Sequence, residues 1–320
     1  VAYKRIARIV SVGTSVPERI VTNKDLEKLL DTSDEWISTR TGIRQRHLFA
    51  PGEDARAYEL GGKAARAALS KARCSPLDVD GIICATFSPD YFFPSTACKI
   101  QQFIGNTRAC AFDVSAACAG FVYALSIADS MIVSGQCRRM LVVGVEITSR
   151  TVDWTDRSTC ILFGDGAGAV LLEEREDGDK GILATYLKSN GALGDILYLP
   201  AFGEHRYMKM NGNEVYKHAV RLMGDATEQC LKKAGLSIEN VDLLIPHQAN
   251  LRIMDAIAKH LNLPRERMVT NLDKYGNTSS ASIPLALADA WGDGRVKDGT
   301  VAVFTALGGG LAWGSAVVRF

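Results

Sequence analysis

LSKARCSPLDVDGII, residues 69–83, returns without a gap as LKKAGLSIENVDLLI at residues 231–245, with seven of fifteen positions identical. The same offset of 162 residues sets SAACAGFVYAL, from Ser115, on NTSSASIPLAL, from Asn277, and RMLVVGV, from Arg139, on VAVFTAL, from Val301. Two halves of one topology follow, residues 1–178 and 179–320, fused into one core. The match brings the chemically interesting residues to corresponding points. Cys118 opens a helix in the first half, while His247 and Asn277 leave strand ends in the second. An approximate two-fold axis between the halves lets those ends face each other across one site.

Each half alternates apolar runs with amphipathic helices. DGIICATFS (80–88), ACAFDV (109–114) and RMLVVGVEI (139–147) read as strands, as does VDLLIP (241–246). From Asn213 to Ala234, residues Tyr216, Ala219, Val220, Met223, Thr227, Cys230 and Leu231 share one helical stripe that Gly235 closes. Strands that alternate with helices imply an α/β fold with parallel pairing, and runs such as DGIICA are apolar throughout, as strands covered on both faces must be. CAGFVYALSIADSMIV, from Cys118, is a helix apolar nearly all round, with only Ser126, Asp129 and Ser130 clearly polar. A helix layer between two sheets accounts for it, which predicts five layers, αβαβα, from halves related by a pseudo-two-fold. Two segments break the repeat: a charged stretch from about residue 19 to 55, and TSRTVDWTDRSTCILFGD from Thr148. Insertions in a symmetric core are where specificity usually sits.

A chain of 320 residues buries roughly three quarters of its unfolded surface, so neither metal nor disulfide is needed for folding. Its net charge of +1 and lack of long Lys or Arg runs make nucleic acid and membrane poor candidates as partners. Eight cysteines without CxxC spacing suggest a reducing cytoplasm. The first residues, VAYKRIARIV, hold no apolar stretch of signal-peptide length.

Cys118 follows the strand-like CAFDV and the small-residue turn SAA, so its sulfur is expected at a helix N-terminus, where free N–H groups and the helix dipole favour an anion. If that geometry supplies ~2 kcal/mol, the thiol pKa falls from about 8.5 to near 7. The competing reading is a small buried hydrophobe, the common fate of cysteine. Of five histidines, His47 and His205 read as loop residues and His218 and His260 as helical, whereas His247 follows a buried strand and Pro246. Its first-half counterpart is Ala85, so the fold does not demand an imidazole there. Asn277, in KYGNTSSAS, is ordinary turn chemistry by itself, but its counterpart Ser115 stands three residues before Cys118. Together the three residue types permit acyl transfer: a thiolate attacks a carbonyl while two donors hold an oxyanion. The run Gly308-Gly309-Gly310 offers a further backbone donor near Cys118, or a plain tight turn. GDGAG at 164–168 lacks the context of a phosphate loop and reads as close packing.

With these residues assembled, the chain resembles the thiolase superfamily, and within it the β-ketoacyl-acyl-carrier-protein synthase III family, from Ile6 to Phe320. DTSDEWISTRTGIRQRH, FDVSAACAGF, PHQANLRI, YGNTS and GGGLAWGSAVVRF carry the resemblance in family order. It implies a decarboxylative Claisen condensation of an acyl-coenzyme A primer with malonyl-acyl-carrier protein. Cys118 would be acylated, His247 and Asn277 would hold the malonyl thioester oxygen, and Cys118 and Gly309 N–H groups would form the other oxyanion hole. The coenzyme A thioester is then a substrate, and no resident cofactor is needed. The resemblance also implies that Trp36 and Arg157 flank the adenine and that Arg40 lies near the phosphates. Ala249 and Asn250 would line the pantetheine tunnel, while Gln248, Arg252 and Lys217 meet the acidic carrier protein. Phe93 would cross a homodimer interface to floor the acyl pocket. Leu307 stands where family members commonly carry Phe, which leaves the acyl preference open. The alternatives are a condensing or transacylating enzyme of secondary metabolism, a Cys-His-Asn thioesterase or peptidase, and a non-catalytic acyl-carrier binding module.

Overall fold

The computed structural model describes residues 5–176, 178–204 and 206–320; His205, expected in a loop, lies outside them. The first half runs β1 (Arg5–Ser15), β2 (Ile20–Thr22), α1 (Asn23–Glu27), α2 (Asp34–Thr41), β3 (Gln45–His47) and α3 (Ala57–Ala72). It continues with β4 (Gly81–Ala85), α4 (Thr96–Ile104), β5 (Cys110–Val114), α5 (Gly120–Val133), β6 (Arg139–Glu146) and β7 (Gly166–Glu176). The second half runs β8 (Gly181–Ser189), β9 (Leu197–Tyr198), β10 (Lys209–Met210), α6 (Gly212–Ala234) and β11 (Leu243–Pro246). Then follow α7 (Leu251–His260), α8 (Leu272–Tyr275), α9 (Ser282–Gly292), β12 (Val301–Gly308) and β13 (Ala312–Arg319).

The 162-residue offset holds at the level of backbone. Short 3-10 turns at Ala117–Ala119 and Ser279–Ala281 precede α5 and α9, and β6 and β12 begin and end at matching positions. Both turns carry the same left-handed residue, Ala117 at φ 45° and Ser279 at φ 51°. One sheet has the order β1-β7-β6-β4-β5 and the other β11-β12-β13-β8. In the second sheet the fifth strand has shrunk to a parallel bridge between Leu244 and Met268.

Helices α5 and α9 lie between the two sheets, α3 and α4 cover the first sheet, and α6 covers the second. This is the five-layer α/β arrangement, and it explains why α5 is apolar on every side. Phe121, Leu125, Ile283 and Leu287 meet Ile83, Val142 and Phe304 in the central core. The stripe of α6 is buried at Ala219, Met223, Thr227, Cys230 and Leu231, while Tyr216 is exposed. Among the described residues the parallel ladders join strands that a helix connects, β4 with β5 and β6, and β11 with β12. β7 and β13 return antiparallel because each follows its neighbour through a loop with no crossover helix.

Glycines mark where the halves touch. A Cβ on Gly144 of β6 would lie 2.4 Å from the Ser280 carbonyl oxygen, and one on Gly308 of β12 would lie 2.6 Å from the Cys118 nitrogen. GDGAG is likewise packing: Cβ atoms at Gly166 and Gly168 would meet Leu285 and Pro284 of α9. Gly144→Ala should therefore force β6 off the Ser280 turn and destabilise the protein by about 1–3 kcal/mol, the usual cost of overpacking. Urea unfolding checks this; a midpoint equal to the parent's would mean that no backbone contact limits that position.

Candidate active site

A cavity of ≈ 1030 Å³ is lined by Cys118, His247 and Asn277 together, with Ser115, Ala116, Ala117, Leu307, Gly309 and Gly310 at its inner end. Its outer part is lined by Trp36, Arg40, Ala249, Asn250, Arg252 and Ile253, among others. The three residues singled out on different strand ends thus converge as the duplication implies.

Cys118 sits in the middle of the 3-10 turn rather than at a capped helix start, and it is 8 % exposed. The expected pKa near 7 is overturned. Burial pushes the thiol up to about 12, outweighing the Ser279 hydrogen bond and the residue's own backbone N–H, and the buried Glu146 carboxyl adds to the rise. The resting sulfur is therefore a thiol at neutral pH. Helix-end stabilisation is worth ~2 kcal/mol at best, less than the cost of an anion removed from water.

His247 leaves β11 after Pro246, and its backbone N–H donates to the Thr305 carbonyl at 2.8 Å. Its Nδ1 lies 2.7 Å from Ser282 Oγ, which itself accepts the Gln248 N–H at 3.3 Å. Nδ1 is the acceptor available to the Ser282 proton among the described residues, so the ring proton belongs on Nε2. Burial lowers the His247 pKa to about 4, which keeps the ring neutral at pH 7. A neutral imidazole with Nε2–H is a hydrogen-bond donor, not a cation.

Asn277 is held on both sides by the insertion that begins at Thr148. Its N–H donates to the Leu162 carbonyl at 2.8 Å and its carbonyl accepts the Gly164 N–H at 3.0 Å. The side-chain Oδ1 accepts the Ser279 N–H at 2.9 Å, which leaves the carboxamide N–H groups as its donors in the cavity it lines. The two insertions are tied together by fully buried Arg46, whose guanidinium donates to Val21 O, Asn23 Oδ1 and Ile161 O.

At the outer end, the guanidinium carbons of Arg40 and Arg157 lie 4.8 and 5.4 Å from the centre of the Trp36 ring. Arg157 also donates to the Asp31 carbonyl at 2.5 Å. Asn250 caps α7 by accepting the Arg252 N–H at 2.9 Å, and the Arg252 side chain is exposed and reaches the Thr39 carbonyl at 3.4 Å. Lys217 is exposed and paired with Glu214 at 2.7 Å, and it does not line the cavity.

Gln248 does not belong to a docking surface. It is 1 % exposed, and its amide bonds the Pro246 and Val269 carbonyls and the Asn271 N–H, so its side chain is committed to holding the β11 turn. Phe93 lies outside the cavity of its own chain; it is 87 % exposed beside Phe92 on the loop before α4. Among the described residues, the group with metal-ligand composition is exposed Asp225, Glu228 and His260, which is also outside the cavity.

Sequence reading missed Ser279, Ser282 and Glu146. Ser279 Oγ lies 3.2 Å from Cys118 Sγ and 3.4 Å from Glu146 Oε1. The signal available was asymmetry: Ser279 replaces Ala117 and Glu146 replaces Gly308 across the duplication.

Comparison with known proteins points to one family. The family model for 3-oxoacyl-[acyl-carrier-protein (ACP)] synthase III matches residues 112–191, and the model for its C-terminal part matches residues 231–320. The β-ketoacyl-[acyl-carrier-protein] synthase III of Methylococcus capsulatus is 51 % identical over 323 residues, 99 % of each chain. The crystal structure of the 3-oxoacyl-[acyl-carrier-protein] synthase III of Aquifex aeolicus gives a TM-score of 0.94 at 47 % identity, covering 98 % of this chain and 100 % of that one. The priming β-ketosynthase of the R1128 polyketide pathway gives 0.93 at 33 % identity, covering 100 % and 98 %. With both halves matched and identity sustained from end to end, the chain belongs to the β-ketoacyl-acyl-carrier-protein synthase III family, thiolase-fold acyltransferases whose condensation initiates fatty-acid synthesis.

Proposed function

We propose that the protein condenses an acyl-coenzyme A primer with malonyl-acyl-carrier protein through an acyl-Cys118 intermediate, releasing carbon dioxide and a 3-oxoacyl-carrier protein. One observation carries the reading: Cys118, His247 and Asn277 line a single cavity that also reaches Trp36, Arg40 and Arg252 near its mouth. In the first step Sγ attacks the thioester carbonyl and the bond from that carbon to coenzyme A sulfur breaks. Backbone N–H groups of Cys118 and Gly309 are the proposed oxyanion donors; the close approach of Gly308, the residue before Gly309, to the Cys118 nitrogen supports the pairing.

In the second step His247 Nε2–H and the Asn277 carboxamide donate to the malonyl thioester oxygen as carbon dioxide leaves. The enolate carbon then attacks the acyl carbon and expels the Cys118 sulfur. A neutral His247 suits this role, because a positive charge would have to be held without water. Trp36, Arg40 and Arg157 are assigned to the coenzyme A nucleotide, Ala249 and Asn250 to pantetheine, and Arg252 with Lys217 to the carrier protein. The reaction needs no resident cofactor. Leu307, 4 % exposed and lining the inner cavity, is assigned to the acyl pocket.

The protein is further read as a homodimer. The open edge of β5 and the exposed rings of Tyr91, Phe92, Phe93 and Phe202 support this reading, with Phe93 assigned to the neighbouring protomer. Light scattering at micromolar concentration should give twice the 34.6 kDa chain mass, and a monomer would remove the assignment of Phe93.

Intact mass after acetyl-coenzyme A should show one acyl adduct, absent in Cys118→Ala. Free acid in place of a ketoacyl product would indicate hydrolysis. His247→Ala should keep most acylation while decarboxylation falls by about 10²–10³, the usual loss of an oxyanion donor; equal loss of both steps would tie the imidazole to thiol activation. Arg252→Glu should raise KM for the malonyl-carrier substrate about tenfold with kcat held, as for a charge that steers an acidic partner. An unchanged KM would move the docking surface elsewhere.

A further inference from the structure

We propose that Ser279 and Glu146 form a proton relay that takes the proton from Cys118 as the sulfur is acylated and returns it when the sulfur is released. This rests on the reading of Cys118 as the acylated residue. A hydroxyl has one proton and so donates to one neighbour at a time. Ser279 Oγ stands between Cys118 Sγ at 3.2 Å and Glu146 Oε1 at 3.4 Å, and can accept from one while donating to the other. Its backbone is held left-handed at φ 51°, with the N–H bound to Asn277 Oδ1, which fixes where the side chain leaves the main chain.

Neither residue is repeated across the duplication. Ala117 occupies the same left-handed position in the other half without a hydroxyl, and the counterpart of Glu146 at the end of β12 is Gly308. A carboxyl in the dry centre of a domain is costly without a task. The donors around Glu146 also select the oxygen that takes the proton. Thr86 Oγ1 and Ser88 Oγ accept the Ser88 and Ile147 N–H groups, and so turn their own protons toward Oε2 at 3.2 and 2.7 Å; the Phe87 N–H is shared, 3.1 Å from Oε2 and 3.3 Å from Oε1. Oε1 faces Ser279 and Ser280, and the Ser280 hydroxyl at 2.9 Å has a second acceptor in the Ala85 carbonyl. Oε2 thus holds the two committed hydroxyl donors and the shorter Phe87 bond, and Oε1 is the oxygen that faces Ser279 and is the freer of the two to bind a proton.

Every contact of Glu146 among the described residues is a neutral donor. The titratable groups that feel its charge are Cys118 on the facing turn and Cys84 on β4. Asp165, beside its β7 partner Gly166, is occupied by Thr148, Ser149 and the Phe49 N–H. His247 is occupied at Nδ1 by Ser282. Burial raises the Glu146 carboxyl to about 7, with the Ser88, Ser280, Phe87 and Thr86 bonds pulling the other way, so it both binds and yields a proton near neutrality.

The steps balance. On acylation the Sγ–carbon bond forms, the bond to coenzyme A sulfur breaks, and coenzyme A leaves with the electron pair and takes a proton from water. The Sγ proton passes to Ser279 as the Ser279 proton passes to Glu146. On condensation the acyl–sulfur bond breaks and the reverse transfer restores the thiol. One proton is drawn from water per turnover, matching the loss of carbon dioxide from a carboxylate.

The test is single-turnover acylation by acetyl-coenzyme A, read by intact mass from pH 6 to 9, in wild type, Ser279→Ala, Glu146→Gln and the double variant. Ala at 279 is tolerated by the backbone, as Ala117 demonstrates, and Gln keeps an acceptor for Thr86, Ser88 and Phe87. Wild-type acylation should rise through about pH 7. Each single variant should be at least tenfold slower at pH 7, with its rising limb displaced to alkaline pH, and the double variant no slower than the slower single, as for two members of one chain. Rates within twofold of wild type, or equal slowing at every pH, would overturn the relay. Should Glu146→Gln fail to fold, Ser279→Ala decides by the same readout. A wild-type protein without any adduct removes the acylation reading as well; a normal wild-type adduct with unshifted variants removes the relay alone.

Discussion

Two strand ends press backbone to backbone against two helical turns, and Cys118 and Ser279 hang from that contact. β12 meets the Ala117–Ala119 turn at Gly308, and β6 meets the Ser279–Ala281 turn at Gly144. No side chain fits in either gap, so the turns are located by the sheets and not by loops. The left-handed residue repeated in each turn costs of order 1 kcal/mol and is retained in both halves. Position is thus set by symmetric backbone, while the chemistry is asymmetric: Cys118 opposes Ser280, Ala85 opposes His247, and Gly308 opposes Glu146 across the duplication.

Burial decides the charge state of the site. The same removal from water raises Cys118 and Glu146 and lowers His247, so all three tend toward their neutral forms. A centre built this way holds substrates by dipoles aimed in advance, which lose little when water leaves. Charge is kept for the outer end, where the Arg40, Arg157 and Arg252 side chains remain exposed and so keep their hydration.

Much of this was legible in the residues. Gap-free duplication located Cys118, His247 and Asn277 at matching poles, and the all-round apolar α5 required a sheet on each side. The exceptions share one cause. Helix position alone argues for an acidic thiol at Cys118, but desolvation depends on atoms contributed by both halves, and no local pattern reports it. Gln248 lies within a surface-like polar string, yet its neighbours Val269 and Asn271 come from a distant segment and close over it. Ser279 and Glu146, 133 residues apart, carry no motif; only their replacement by Ala and Gly in the other half sets them apart.

The double backbone bond between Asn277 and the segment Leu162–Gly164 limits how this enzyme can be remodelled. On the proposed reaction, lengthening or exchanging that wall would drag the carboxamide with it, so a change made there to admit a bulkier donor would also disturb an oxyanion donor. On the same proposal, changes at Leu307, which lies within β12 and lines the cavity, would reshape the wall without pulling on Asn277.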